Sequence, residues 1–375
     1  MLNKERLIEE FTELVSVPCP SKDERLEAEL IMRKLKELGI EAEMDDAGEK
    51  AGGTCGNVWA YIKGNCSQAP VLFFEAHMDS VAPTTGTKVV RKDGVLYSDG
   101  TTTLGGDDKV GIAAALEAVR AIKEDKLPHG DIQLCFTIGE EIGCLGVVNM
   151  DKARIKADFG YCLDIGGELG EIVYAAPKLY ELFVKVIGKA AHAGIAPEKG
   201  INAIMLAAEA LHRLPGYGRI DEETTLNVGV FHAGVGNNVV APQADFVVDM
   251  RSLNVEKLEK LKDEVCAVIT AAVEDGGGKV EIDVKEGCPA VAVARDHDCI
   301  KLAQEAVANL GRESVLKTTG GCSDGNYLCG YGLPCALLAT GMSNVHTTEE
   351  YLKEDDLFGT AQWVYEIIRL AAEKK

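Results

Sequence analysis

The sequence lacks long apolar runs, an excess of basic residues and closely spaced cysteine pairs. No stretch approaches the roughly 20 apolar residues that a membrane-spanning helix requires. The formal net charge is −21, and a surface of that sign repels nucleic acid and anionic lipid headgroups. The 12 cysteines include no CxxC pair, which excludes a zinc ribbon. We therefore expect neither a nucleic-acid partner nor a membrane partner.

The composition is that of a globular protein with more than one core. Hydrophobic residues make up 46% and charged residues 26% of the 375 residues, and a chain of this length usually forms two domains. Residues 1–17 have the pattern of an amphipathic helix, not that of a basic segment followed by an apolar run and a cleavage site. We therefore expect a cytoplasmic location.

The two ends of the chain alternate helix-like and strand-like segments. Residues 109–123 place Val110, Ala114, Ala118 and Ile122 four positions apart, which is helical spacing. Further helices are predicted at 5–14, 23–38, 298–310 and 357–372, and strands at 57–62, 71–75, 132–138, 159–163 and 335–339. This alternation predicts an α/β domain with a mostly parallel sheet and helices on its faces.

The middle of the chain has a different order of elements. Strands are predicted at 180–187, 225–231, 244–251 and 279–285, and helices at 201–214 and 255–273. The order is βαββαβ, the split βαβ sandwich, which can form a compact domain of its own. We therefore divide the chain into a discontinuous α/β domain, residues 1–178 and 288–375, and an inserted domain, residues 179–287.

Histidine and acidic residues cluster where the predicted strands of the α/β domain end, and where a double-glycine turn opens a helix. The set consists of His77, Asp79, Asp107, Glu140, Glu141, Asp164 and His346. Ligands of open α/β sheets bind in the crevice beyond the carboxyl ends of the strands. Five separate segments therefore deliver such side chains to one edge of the predicted sheet.

This combination of imidazoles and carboxylates is typical of hydrolytic metal sites. It suits zinc, with cobalt or manganese as alternatives. Two ions that share a carboxylate can use five protein ligands and activate a bridging hydroxide between them. Taken singly, each residue has an ordinary structural role available; Asp107, for example, could simply cap its helix. The joint placement at one edge favours a two-metal site.

In their order along the whole chain, these segments resemble the M20 family of metallopeptidases. The motifs are His77-Met78-Asp79, Gly105-Gly106-Asp107-Asp108, Gly139-Glu140-Glu141, Asp164, Gly188–Gly194, Asn238-Val239-Val240, Asp249-Met250-Arg251 and His346. The resemblance implies a zinc-peptidase-like α/β catalytic domain, interrupted by a ferredoxin-like βαββαβ lid domain. It also implies a homodimer that forms through the lid domain.

The resemblance further implies how two divalent ions are held. His77, Asp107 and Asp164 would bind one ion, and Asp107, Glu141 and His346 would bind the other, so that Asp107 bridges them. Zinc is the expected metal, with cobalt or manganese as alternatives.

The same resemblance implies roles for five more residues. Glu140 would be the general base, taking a proton from the attacking water and giving it to the leaving amine. Asp79 would orient a histidine ligand through its second ring nitrogen. In the lid, His192 would stabilise the oxyanion, Asn238 would line the substrate site and Arg251 would bind a substrate carboxylate.

Within the family, the chain is most similar to the peptidase T, or tripeptide aminopeptidase, branch. The similarity lies in residues 164–167, 320–325 and 332–335. Two segments depart from that branch: residues 341–344 read GMSN where a tyrosine-containing stretch is expected, and Cys322 and Ser323 stand where a threonine is expected. We expect an aminopeptidase that cleaves di- and tripeptides.

Three alternatives remain beside this prediction. An N-acyl-amino-acid deacylase or a carboxypeptidase would keep the metal chemistry and change the lid contacts. A non-enzymatic metal-dependent binding protein could share the fold, but it would have little reason to keep Glu140 beside a full ligand set. A dinucleotide-binding oxidoreductase is disfavoured, because no GxGxxG follows the first strand.

Overall fold

The computed structural model describes residues 1–373, which form two compact units. One unit comprises Met1–Ala175 together with the chain from Val291 onward, and the other comprises Ala176–Ala290. None of the helices within residues 1–373 combines the length and the apolar character that crossing a bilayer requires.

Strands and helices alternate along most of the chain. The strands are β1 Ala42–Met44, β2 Val58–Ile62, β3 Leu72–His77, β4 Val90–Lys92, β5 Val95–Tyr97, β6 Ile132–Thr137, β7 Phe159–Ile165, β8 Glu171–Ala176, β9 Lys178–Ile187, β10 Gly218–Arg219, β11 Thr224–Ala233, β12 Gln243–Ser252, β13 Lys279–Glu286, β14 Val291–Ala292, β15 Val315–Thr318, β16 Cys335–Ala339 and β17 Tyr351–Lys353. The helices are α1 Lys4–Val15, α2 Arg25–Glu37, α3 Ala47–Ala51, α4 Gly106–Asp125, α5 Leu145–Asn149, α6 Ala203–His212, α7 Val255–Asp275, α8 Asp298–Asn309, α9 Asp324–Gly330 and α10 Glu354–Glu373.

A mixed sheet forms the centre of the first unit. Its order is β1-β2-β6-β3-β7-β16-β8-β14, and β15 pairs with β8. The central strands β6, β3, β7 and β16 run parallel, whereas β2 is antiparallel to β6 and β8 is antiparallel to β16. The predicted mostly parallel sheet is confirmed, with antiparallel pairs towards its edges.

The central strands are apolar along their length because both faces of this sheet are covered. Every residue of β3, β6 and β16 is buried, as expected for parallel strands between helix layers. Helix α4 packs against β3, α1 and α10. Its four-residue apolar repeat is buried throughout, which confirms the helix predicted there. This arrangement fixes the carboxyl ends of four parallel strands at one edge.

Several short elements of this unit are not among the helices and strands predicted from the sequence. Strands β4 and β5 have three residues each and pair with each other, and β17 pairs with β5. Asp93 and Gly94 join β4 to β5 with φ values of 51° and 76°, the positive values that a tight hairpin turn needs. The Asp-Gly dipeptide is therefore the one local signal that predicts this hairpin.

The second unit has the predicted βαββαβ order, with the two-residue strand β10 added before β11. Its antiparallel sheet runs β10-β11-β12-β9-β13, and α6 and α7 both pack on it. Alternate residues of β9 and β12 are buried, as a sheet with one covered face requires. On α7 the buried face includes Ile269 and leaves Val268 partly exposed, because one residue corresponds to a rotation of about 100° around the helix axis.

Candidate metal centre

Four parallel strands and one helix bring the predicted ligands to a single edge of the central sheet. His77 is the last residue of β3, and Asp164 is the penultimate residue of β7. Glu141 lies in a short 3₁₀ turn that follows β6 after Gly139, whose φ is 59°. Asp107 lies in the first turn of α4, and His346 lies in the loop between β16 and β17.

Asp107 lies between the two histidines and points one carboxylate oxygen at each. Its Oδ1 is 3.1 Å from His77 Nε2, and its Oδ2 is 3.3 Å from His346 Nε2. Asp164 Oδ1 lies 3.7 Å from His77 Nε2, and Glu141 Oε2 lies 2.9 Å from His346 Nε2. The five predicted ligands therefore form one cluster, with Asp107 in contact with both histidines.

The donor atoms of this cluster fit a divalent cation. Single ligand atoms of His77, Asp107 and Glu141 lie within 4.8 Å of one another, and so do those of His77, Glu140 and Asp164. The second group includes Glu140, to which the family resemblance assigns no metal. Oε1 of Glu141 is buried without a hydrogen-bond partner in the part of the chain that the structure describes. Buried oxygens normally have partners, so this oxygen is available to a cation.

Buried acids and imidazoles lie close together in this cluster, and each shifts the pKa values of its neighbours. Burial lowers the pKa of His77, but hydrogen bonds with Asp107 and Asp164 raise it well above its ordinary value. A hydrogen bond with Asp107 raises the pKa of His346 to about 9. Burial and the charge of Asp107 raise the pKa of Asp164 to about 7. The cluster therefore carries protons where cations would otherwise sit.

Glu140, the predicted general base, lies next to the ligands with its carboxylate partly shielded from solvent. Burial and the charge of Asp164 raise its pKa well above the usual range. The Cys144 thiol donates a weak hydrogen bond to Glu140 Oε1 at 3.7 Å. A base with a raised pKa holds an abstracted proton more readily than an exposed carboxylate does.

Asp79 contacts both a predicted ligand and the turn that carries the predicted base. His77 Nδ1 lies 3.0 Å from the carbonyl oxygen of Asp79 and 3.4 Å from its Oδ1. The carboxylate also accepts hydrogen bonds from the Ser21 hydroxyl at 2.6 Å and from the backbone N–H groups of Glu140 at 3.0 Å and Glu141 at 3.3 Å. Orientation of His77 is therefore only one of its contacts.

Two buried acids that the sequence analysis does not single out hold the turns in place. Glu24 is fully buried and accepts a hydrogen bond from the Gly139 N–H at 3.0 Å. Glu350 is buried as well, and accepts from the N–H groups of Gly105 at 2.8 Å and Asp107 at 3.1 Å. No local pattern marks either acid, because each binds backbone groups far away in sequence.

Lys109 is a third residue that the sequence analysis misses. It is almost fully buried, although it follows directly after the Gly105–Asp108 motif. Its ammonium donates to the carbonyl oxygen of Met78 and to Ser80 Oγ. A charged side chain among the apolar positions of a buried helix is the signal that could have identified it.

The cluster lines a cavity of about 190 Å³. Its lining combines four of the carboxylates and His346 with four apolar side chains and with Gly166, Thr319, Gly321, Cys322 and Ser323. The apolar lining consists of Ile165, Leu337, Met342 and Val345. None of the described residues that line this cavity is lysine or arginine. A larger surface groove of about 960 Å³, next to Asp46 and Arg154, contains none of the predicted site residues.

The three predicted substrate residues belong to the second unit. His192 and Asn238 are exposed and lie close together, because the Ala193 N–H donates to the Asn238 carbonyl oxygen at 2.9 Å. Arg251 lies on β12, where its Nε donates to Asp249 Oδ1 at 3.0 Å and its Nη2 to Oδ2 at 3.0 Å.

Comparison with known proteins gives matches over the whole chain. Residues 73–370 match the sequence profile of peptidase family M20/M25/M40. The chain is 39% identical over 373 residues to the uncharacterized protein YqjE of Bacillus subtilis (strain 168), with 100% of both chains covered. Aminopeptidase PepT of Bacillus cereus ATCC 10987 has a similar structure, with a TM-score of 0.96, 38% identity and full coverage of both chains. A tripeptidase of Staphylococcus aureus subsp. aureus Mu50 is similar over 100% of both chains at a TM-score of 0.96 and 35% identity.

Proposed function

The chain belongs to peptidase family M20/M25/M40, and we propose that it is an aminopeptidase that uses two divalent ions to cleave di- and tripeptides. It is a hydrolase of peptide bonds, of the peptidase T-like branch. The names of two relatives, an aminopeptidase and a tripeptidase, support the choice of short peptides. The observation that carries the two-ion proposal is Asp107, whose oxygens face two different histidines.

Each ion would have three protein ligands. His77, Asp107 and Asp164 would hold one, and Asp107, Glu141 and His346 would hold the other. The grouping is supported by the pairing of Asp164 with His77 and of Glu141 with His346. Zinc is the metal we propose, with cobalt or manganese as alternatives that suit the same ligands. When bound, such ions activate water and polarise the scissile carbonyl.

Glu140 would carry the proton during hydrolysis. It would accept a proton from the attacking water and donate it to the leaving amine, which requires a carboxylate close to both. Its place among the ligand atoms of His77 and Asp164 supports this role. Asp79 would keep Glu140 in place through the backbone bond it accepts.

We propose that the second unit supplies His192, Asn238 and Arg251 to the substrate. His192 would donate to the oxyanion, and Arg251 would bind the substrate carboxylate with two parallel N–H groups. Arg251 already binds the carboxylate of Asp249 in this bidentate way, which supports its suitability. A deacylase or carboxypeptidase would use different contacts in the second unit, so the preference for one peptide terminus has to be measured.

A homodimer through the second unit, in the cytoplasm, completes the proposal. Strand β10 pairs with β11 only at Thr225 and Leu226. In the part of the chain that the structure describes, no strand pairs with residues 227–233 on that side. Val230 and Phe231 in this segment are 45% and 41% exposed, and Met205 on α6 is 64% exposed. An unpaired edge with exposed apolar side chains is suited to pairing with a second copy.

The test is a panel of free, N-acylated and C-amidated di- and tripeptides, assayed with zinc, manganese and cobalt. The proposal expects cleavage of free peptides, slower cleavage of C-amidated peptides, which lack the carboxylate for Arg251, and no cleavage of N-acylated ones. Glu140→Gln should retain metal and lose roughly 10²–10⁴-fold in kcat. Glu168→Gln, at an exposed glutamate outside the cavity, is the matched control. Cleavage of N-acylated peptides alone would replace the aminopeptidase with the deacylase alternative.

A further inference from the structure

Lys109 is a buried cation that has no part in the proposed hydrolysis. It is 1% exposed and lies in α4, two positions after Asp107. Lysine is almost never fully buried unless its ammonium is bound to other polar groups. Both hydrogen bonds of this ammonium go to uncharged oxygens, the Met78 carbonyl oxygen and Ser80 Oγ. A charge that is costly to bury is thus spent on the segment that follows β3.

These bonds join the two segments that carry His77 and Asp107. Met78 directly follows His77, and Ser80 lies two residues further along the same segment. The ammonium of Lys109 donates to Ser80 Oγ at 2.6 Å, and the Ser80 hydroxyl donates to the carbonyl oxygen of Asp107 at 3.3 Å. One ammonium and one hydroxyl therefore connect the end of β3 to the first turn of α4.

The chemistry of the two groups fixes the direction of each bond. An ammonium has three donors and no acceptor, so Ser80 Oγ has to accept from Lys109 and its own single proton is left for Asp107. Hydrogen bonds with a charged partner are also stronger than those between neutral groups. Ser80 is 4% exposed, so bulk water does not compete for these bonds. The order of donors and acceptors is therefore unique.

The main chain of Asp107 is held on both of its sides. Ser80 binds its carbonyl oxygen, and Glu350 Oε1 accepts from its N–H at 3.1 Å. Gly105 allows the close approach of this turn, because its φ is 73° and a Cβ there would lie 3.2 Å from Ser80 Oγ. The carboxylate that faces two histidines therefore projects from a backbone that the Lys109 and Ser80 bonds help to fix.

We propose that Lys109 is a positioning residue that sets the spacing of His77 and Asp107, and with it the affinity for the ion that these two ligands share. The inference rests on the proposed two-ion site and adds a residue on which one ion depends more than the other. The ion at His77 would feel the loss of Lys109 through both ligands. The ion at His346 would feel it through Asp107 alone.

The experiment titrates metal-free Lys109→Met with zinc and with cobalt, by calorimetry and by competition with a chromophoric chelator. Methionine keeps the length of the side chain and removes the charge and the donors. The His77→Ala and His346→Ala variants identify which dissociation constant belongs to which ion. Loss of a partner that orients a metal ligand typically costs about 10–100-fold in affinity. We expect a loss of that size for the ion at His77, a smaller one for the other ion, and a lower kcat at limiting metal with little change in KM.

Lys34→Met is the matched control, because Lys34 is also a buried lysine but lies in a different network. It is 8% exposed, and its ammonium lies 3.5 Å from Glu10 Oε1 and also binds Glu13. None of these three residues lines the cavity of the metal centre. Lys34→Met should lower the free energy of unfolding and leave both dissociation constants at the parental values.

A second pair of variants keeps the test decisive if Lys109→Met fails to fold. Ser80→Ala removes the hydroxyl that joins the ammonium to Asp107, and should weaken the ion at His77 in the same selective way. Ser80→Thr retains a hydroxyl and should restore most of that affinity. Parental constants in these variants, or equal weakening of both ions, would overturn the positioning role while the two-ion proposal stands. A parent protein that binds fewer than two ions would instead refute the proposed two-ion site itself.

Discussion

Replacing Asp79 with asparagine is expected to weaken metal binding and turnover together. The carboxylate is fully buried and accepts hydrogen bonds from three donors, the Ser21 hydroxyl and the N–H groups of Glu140 and Glu141. An asparagine side chain has a single acceptor oxygen, and its NH₂ group can only donate. At least one of the three donors would therefore face another donor.

The structure indicates which bond is lost. With its oxygen at the Oδ2 position, the asparagine keeps the bonds from Ser21 and Glu141, because both donate to Oδ2 in the parent. The Glu140 N–H, which donates to Oδ1, loses its acceptor. A hydrogen bond to a charged group contributes about 1.5–3 kcal/mol, and we expect a loss of that size in the free energy of unfolding. Loss of a partner that orients a metal ligand typically costs about 10–100-fold in metal affinity or activity.

The assay measures metal affinity by competition with a chromophoric chelator, kcat at saturating metal, and unfolding by denaturant. Ser21→Ala is the control, because it removes one donor to Oδ2 and places no new donor against the carboxylate. It should lose less than Asp79→Asn in all three measurements. If Asp79→Asn bound metal and turned over like the parent, the carboxylate would not position the turn that carries Glu140.

Three further predictions concern protons and substrate contacts. Burial raises the pKa of Glu27 from 4.5 to about 8, so its contribution to the free energy of unfolding is complete below pH 4.5 and is lost as the pH rises to about 8, by up to about 1.4 kcal/mol per pH unit. In denaturation experiments from pH 5 to 8, Glu27→Gln should lose less stability per pH unit than the parent. The exposed control Glu29→Gln should show the parental slope. In the metal-free protein, His346 stays protonated up to a pH of about 9. A metal ion must displace this proton, so metal affinity measured by chelator competition should rise with pH, by about tenfold per unit for each proton released. A pH-independent affinity would contradict this. His192→Ala should lower kcat and leave the metal content of the protein intact, whereas loss of metal would show that His192 has been misassigned.

The clustering of the proposed metal ligands could be predicted because the sequence indicates both the type of each central strand and the position where it ends. An apolar run such as residues 72–77 predicts a buried parallel strand, and a polar residue at its carboxyl end then belongs to the edge where ligands bind. His77 and Asp164 follow this rule directly. His346 follows it less directly, since seven positions separate it from Ala339, the last residue of β16.

The supporting acids could not be predicted in this way, because their partners are distant backbone groups. Glu24 lies 115 positions from Gly139, and Glu350 lies 245 positions from Gly105. Backbone N–H groups are present at every residue except proline, so the sequence does not indicate which of them an acid will bind. The short strand β15 is equally hidden, since its four residues are mostly exposed and pair with β8 from a distant part of the chain.

The close packing of carboxylates at this site is itself an argument for metal binding. Asp107, Glu141 and Asp164 gather around two imidazoles, and no lysine or arginine among the described residues lines their cavity. Lysine or arginine side chains would neutralise such a cluster as well, but the buried ammonium of Lys109 donates instead to the Met78 carbonyl oxygen and to Ser80 Oγ. If the fold needed only a neutral net charge at this cluster, lysine or arginine side chains could supply it. Protons on the histidines and on Asp164 stabilise the metal-free cluster, and protons can be displaced by metal ions. This arrangement favours exchangeable cations at the site over permanently charged side chains.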